Sequence, residues 1–410
     1  MSTAAPGGTI ASWIEHAEEL AGLVKDRLVV RWDRHGRYYL KDGQVKPWTA
    51  NELTEADLLR HFAEPCLENT IGLHSSAVIG DRSVCKWGGI DIDRHGEAGD
   101  PEANFRTAVA WESRLVELGF RPLLTDSDGR GGFHLRVLFA ELVPSERVHR
   151  FLRSFVRGWR EFGLDKEPET FPKQESILDT PHQCGNWMRV FGRHHKRDHF
   201  TRVHDGLEWL EGHDAVQFIL GLTGDPTSLI PADVESQDGR NGVRRRTRPR
   251  GERPSASEQD VSYAAAALRV LPQKYRDDYD RWIKVLCCLR ELGEAGLRLA
   301  REWSMGSTKY SAGDVDAKWG TLSEQGLTLG SLFAVAHHHG WVPPWKLNGE
   351  PTAPGSEGAA VGFMGTPGAF PPEFTEPPRP IRTVLRPVPF LPSELLPPPL
   401  RPWILDVAER

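Results

Sequence analysis

Asp91 and Asp93 stand one residue apart at the end of the apolar stretch Trp87-Gly88-Gly89-Ile90-Asp91-Ile92-Asp93. Side chains two apart on a strand share a face, so these carboxylates point the same way and repel each other. A divalent cation removes that conflict. A third acid, Glu169 in Glu169-Thr170-Phe171-Pro172-Lys173-Gln174, completes a set of hard oxygen donors suited to two ions of Mg²⁺ or Mn²⁺. An Asp-x-Asp by itself is more often a solvated turn. Its companions argue for chemistry. Gly131 and Gly132 allow a backbone to approach phosphate closely, and His134 follows as a donor to a phosphate oxygen. Lys173 and Arg189 are placed to hold a triphosphate, Arg189 as a bidentate fork. The chemistry this set could perform is in-line displacement at phosphorus with two metal ions as the clamp. Asp91, Asp93 and Glu169 are then the catalytic and metal-binding residues. Gly131, Gly132, His134, Lys173 and Arg189 are the nucleotide-binding ones. Arg193, His194 and His195 are candidates for nucleic-acid contact. The cluster His182, Cys184, His194, His195 and His199 raises zinc, but its spacing matches no closed four-ligand pattern and zinc is disfavoured.

These residues need elements to position them. Val84–Ile92 reads as a strand. Asp100-Pro101-Glu102 opens a helix that Gly119 ends. Strands at Arg121–Thr125 and Phe133–Phe139 flank a Gly- and Asp-rich turn. A helix from Pro144 runs to Gly163, and a last strand begins at Glu169. The order strand, helix, strand, strand, helix, strand is the split βαβ pattern. Right-handed crossovers set the sheet order four, one, three, two, all antiparallel. Asp91 and Asp93 end the first strand, His134 opens the third and Glu169 opens the fourth, so the candidates meet at one edge. The fold class expected is α+β: an RNA-recognition-like core, a small all-α domain and a proline-rich tail. A helix over Ile10–Val24 and strands around Leu28–Leu40 and Thr70–Ile79 precede the core.

The chain of 410 residues is 39% hydrophobic and 26% charged, as ordinary globular cores are. No run is apolar enough to span a bilayer, and no secretory signal is read. Five cysteines without a CxxC pair fit reduced thiols in a cytoplasmic protein. The net charge of -6 argues mildly against a nucleic-acid binder, yet basic residues cluster between Arg130 and Arg202 and between Arg240 and Arg253. The second run is either a solvated linker or a phosphate-tracking arm. The expected division is a catalytic domain at 1–224, a basic linker at 225–258 and a helical domain at 259–345. A proline- and glycine-rich linker at 346–388 and the start of a further domain at 389–410 follow, with the parent protein continuing past the chain.

On these residues the chain resembles the primase-polymerase branch of the archaeo-eukaryotic primase superfamily. The resemblance rests on Gly89-Ile90-Asp91-Ile92-Asp93, Gly132-Phe133-His134, the acid Glu169 (Glu167 in another register) and Asn186-Trp187-Met188-Arg189. Gly132 stands where the family usually has serine. Tyr279-Asp280-Arg281-Trp282-Ile283-Lys284, Glu302-Trp303-Ser304 and Lys318-Trp319 look like the helical primase C-terminal type 2 domain. The end, from Pro389 to Arg410, resembles the opening of a helicase-like domain. The resemblance implies template-dependent synthesis or extension of primers. Its partners are single-stranded DNA template, primer strand, nucleoside triphosphates and a helicase in cis or trans, with no membrane. The setting is replication of a mobile element or phage, or defence. A two-metal nuclease and a non-catalytic nucleic-acid-binding module are the competing readings.

Overall fold

Two helices, α1 (Pro6–Glu15) and α2 (Ala17–Arg27), break at His16, where apolar spacing alone predicts one continuous helix. A hairpin of β1 (Arg34–Lys41) and β2 (Gln44–Asn51) follows, then α3 (Glu55–Ala63), started by a capping box between Thr54 and Asp57. Leu28, expected on a strand, instead caps α2. The apolar stretch Thr70–Ile79 divides into β3 (Ile71–His74) and β4 (Ser76–Ile79), which join different sheets. Residues 6–94, 99–177, 185–232, 257–311, 313–322 and 327–342 are described in this computed structural model. The Arg240–Arg253 run, the stretches 346–388 and 389–410, His182 and Cys184 lie outside them.

The central run is β5 (Arg82–Ile92), α4 (Pro101–Glu117), β6 (Leu123–Asp126), β7 (Phe133–Pro144), α5 (Ser145–Val156) and β8 (Glu169–Phe171). The side chain of Asp100 caps α4 by accepting from the Glu102 amide at 2.9 Å, and Pro101 fills the first turn. The helix expected to reach Gly163 stops at Val156, and Trp159–Phe162 continues as a 3₁₀ turn after Gly158. Lateral order in the sheet is β8, β5, β7, β6, with every pair antiparallel. This is the order that right-handed crossovers require. β4 extends the β8 side by pairing with the first half of β5. β10 (Val203–His204) and β11 (Trp209–Leu210) extend the other side beyond β6. β9 (Trp187–Arg189) joins a second sheet of order β2, β1, β3, β9.

Alternation along the strands sorts two cores. Ile90 and Ile92 of β5 with Leu135 and Val137 of β7 face α4 and α5, packing on Trp111, Leu115, Val148 and Phe151. A Cβ on Gly88 would lie 2.7 Å from Leu152 and Val148, so its absence lets α5 sit directly on β5. Trp87 and Leu138 face the other way, onto Met188, Phe191 and the N-terminal helices. Next come α6 (Gly212–Leu220), α7 (Glu258–Val270), α8 (Lys274–Asp277), α9 (Tyr279–Leu289), α10 (Gly293–Ser304), α11 (Asp314–Trp319) and α12 (Leu329–His338). Helices α7 to α12 share a core around Trp282, Leu286, Trp303 and Leu332. Polar contacts tie them to the sheets: Tyr275 Oη donates to Asp205 Oδ2 at 2.9 Å, and Arg281 Nε to Glu208 Oε1 at 2.7 Å. No helix among the described residues is long and apolar enough to cross a membrane.

Candidate functional site

Register brings the candidates together. Asp91 of β5 lies opposite His134 of β7 on one side and opposite Glu169 of β8 on the other. Glu167, the alternative third acid, instead pairs with Arg153 at 2.8 Å, so Glu169 is the acid in register with Asp91. All three strands turn these residues to the face away from α4 and α5, toward the second sheet.

Asp91 is largely buried, with 17% of its side chain exposed. Its Oδ1 is buried without a hydrogen bond; His134 Nε2 stands 3.4 Å away, outside hydrogen-bonding geometry. Burial, then the charge of Glu169, raises the Asp91 carboxyl to about 6, against the pull of Arg136, Arg189 and Lys173. Asp93 is exposed at the strand end. Glu169 forms an ion pair with Lys173 at 2.5 Å. Among the described residues no three His, Cys, Asp or Glu side chains converge closely enough to hold a metal. The donor chemistry still fits a hard cation. A buried carboxylate oxygen lacks a partner, and a second carboxylate stands on the neighbouring strand, balanced by a lysine.

His134 is buried and held well below the usual imidazole range, first by burial and then by Arg136 and Arg189. Its Nδ1 faces Arg136 Nη2 at 3.4 Å. A guanidinium cannot accept, so the proton belongs on Nε2, toward Asp91. Neutral His134 therefore carries an Nε2–H donor on the side of Asp91, at 3.4 Å and outside hydrogen-bonding geometry.

Arg136 is the residue that sequence reasoning missed. It sits two positions after His134 on the same face, 1% exposed. Its Nη2 donates to the Arg189 carbonyl at 2.5 Å, its Cζ lies 5.9 Å from the Trp87 ring, and its Nε and Nη1 have no hydrogen-bond partner. Burial lowers it to about 9, so it stays charged at neutral pH. The signal in the sequence was an arginine inside an otherwise apolar strand, Phe133-His134-Leu135-Arg136-Val137-Leu138. A buried guanidinium with idle donors costs several kcal/mol unless something pairs with it.

Arg189 of β9 is buried and spends its donors on backbone. Nη2 reaches the Ser127 carbonyl at 2.5 Å, and Nη1 reaches Val190 and Arg193 carbonyls at 3.3 Å. It thereby ties the second sheet to the 127–132 loop. In that loop the amides of Arg130 and Gly132 both donate to Asp128 Oδ1, at 2.8 and 3.3 Å, so a carboxylate of the chain occupies the cradle. Gly131 gives its carbonyl to Asn104 Nδ2 at 2.8 Å. Arg193 caps the His194 carbonyl at 3.1 Å. His194 and His195 are lowered to about 2 and about 3 by burial and by Arg189, so both are neutral at neutral pH. His195 stacks on Tyr38 of β1 at 4.0 Å between centroids. His199 Nε2 and Asp126 Oδ1 are hydrogen-bonded at 3.1 Å, and the His199 carbonyl accepts from the His194 amide at 2.8 Å.

Residues 264–336 match the family described as Primase C terminal 2 (PriCT-2). The match covers α7, from Ala264 on, through most of α12, so the helical region is of primase C-terminal type, which points to a primase-related replication protein. No curated protein gives a significant match to the chain.

Proposed function

We propose that the chain is a primase-polymerase whose RNA-recognition-like sheet carries a two-metal nucleotidyl-transfer site. The observation that carries this reading is the unpartnered oxygen of Asp91, set between Glu169 and a buried cluster of His134, Arg136 and Arg189. Asp91, Asp93 and Glu169 would hold Mg²⁺ or Mn²⁺. When bound, such ions supply neutralisation of charge at the α-phosphate and acidification of the attacking 3′-hydroxyl. Lys173 would exchange its partner, leaving Glu169 for a phosphate oxygen as the carboxylate turns to the cation. Arg136 holds fixed positive charge in a dry site, where it acts on developing negative charge without reorganisation. His134 donates from Nε2. Arg189 keeps the 127–132 loop, with Gly131 and Gly132, against the site. Arg193, His194 and His195 line the approach of the strand on the second sheet. Template, primer and nucleoside triphosphates are the substrates of this reading, and the PriCT-2 match supports it from the other end of the molecule.

Incubating the chain with single-stranded template, labelled nucleotides of both sugar types and Mg²⁺ or Mn²⁺ tests it. Primer products with pyrophosphate release are expected. Strand cleavage without incorporation would install the nuclease reading instead. Neither activity would leave a binding module.

A further inference from the structure

On the opposite face of the same sheet end lies an open cleft of about 460 Å³. Its floor is aromatic. Phe105 of α4, Phe133 of β7 and Trp209 of β11 form a triangle with centroids 5.6–5.7 Å apart, Phe133 and Trp209 being stacked. Its rim carries Arg94, Arg130 and Arg202, with the Arg202 guanidinium 5.2 Å over the Trp209 ring. The acids at the cleft are Asp126, paired with Arg202 and hydrogen-bonded to His199, and the exposed Glu102.

The cleft adjoins the candidate centre. Phe133 and His134 are consecutive, one facing the cleft and the other facing Asp91. The 127–132 loop is the wall between them. It is seated firmly: Gly131 has φ +99° and lies so close to α4 that a Cβ would come 2.3 Å from Pro101. Aromatic faces with arginines above them are the chemistry of single-strand binding. Every base offers a π face, and the cations track the backbone. An incoming nucleotide does not fit the position, because its phosphates would fall on the helix side of β7, away from Asp91.

We propose that this cleft is a stacking site for an unpaired base of the template strand, next to the point where the strand passes the candidate catalytic centre. This rests on the primase-polymerase reading for its orientation, but strand binding can be measured without catalysis. The test uses the full chain without metal or nucleotide. Fluorescein-labelled oligothymidylate is titrated by anisotropy over a range of salt, and 5-iodouracil oligomers are photo-crosslinked and mapped by mass spectrometry. Crosslinks on Trp209 or Phe105 are expected in the unaltered chain. Trp209→Leu should bind about 10-fold more weakly, and Trp209→Tyr should recover most of the loss. Arg130→Ala, at an exposed position, should reduce the salt slope by about 0.7. Crosslinks confined to other residues, with Trp209→Leu and Arg130→Ala binding as the unaltered chain does, would overturn the proposal even if nucleotides are incorporated. Failure of incorporation with the crosslinks and losses intact would remove the catalytic reading and keep the cleft as a strand site.

Discussion

The two faces of the central sheet use the same strands for opposite purposes. Toward α4 and α5, Ile90, Ile92, Leu135 and Val137 lie in an apolar core with Trp111, Leu115, Val148 and Phe151. Toward the second sheet, Asp91, His134 and Arg136 occupy the alternating positions, and the polar atoms there are left incomplete. One face carries the stability that the other gives up. Unsatisfied buried charge, as at Asp91 and Arg136, is the pattern expected of a site that awaits ligands.

That contrast can be broken in several ways. The largest effect should come from Asp91→Ala with Asp93→Ala, which on the proposed function lowers nucleotide incorporation by about 10²-fold or more while circular dichroism shows an intact fold. Normal incorporation by the folded double variant would refute the metal assignment. On the apolar face, Phe151→Ala should cost about 3–5 kcal/mol by denaturant titration, since the ring is fully buried against Phe120 and Phe155. Asp91→Asn should cost nothing in metal-free buffer.

The pH dependence sharpens the same comparison. Asp91 titrates near 6 in the fold, above its unfolded value. The folded state therefore binds the extra proton, and Asp91 stabilises at low pH and loses that contribution as pH rises from about 4 through 6. The difference amounts to roughly 3 kcal/mol. Buried neutral histidines such as His61, lowered to about 4, act in the opposite sense: their stability is present above 6.5 and lost as pH falls. Subtracting the Asp91→Asn profile from that of the unaltered chain isolates the carboxylate, and saturating Mg²⁺ should flatten the difference. A flat difference without metal would mean that Asp91 is not desolvated.

Smaller effects should follow at the cations. Arg136→Met should weaken triphosphate binding by about 2 kcal/mol, read by nucleotide titration, while leaving thermal stability unchanged or higher. An unchanged affinity would make Arg136 a purely structural residue. Lys173→Ala should move stability by less than about 1 kcal/mol, because its ion pair with Glu169 is half-exposed.

What the sequence determined was the periodic and the local. Alternation in Trp87–Asp93 and Phe133–Phe139, the Asp100 cap with Pro101 and the Gly119 stop carried the strand, helix, strand order. Crossover handedness then set the sheet order that places Asp91 between His134 and Glu169. The motif residues of the helical region were legible because tryptophans at helical spacing, Trp282 and Trp303 among them, build its core. Tertiary structure alone decided the rest. Strand β2, the partner of the expected β1, and the two-residue strands β10 and β11 are too short or too polar to show a period, and only their pairing partners create them. Whether Arg189 meets a phosphate or a carbonyl, and whether Arg136 is buried, depends on the second sheet closing over the first. That closure is made by contacts between residues far apart in the chain, such as the bond from Arg136 to the Arg189 carbonyl, and no local pattern encodes them.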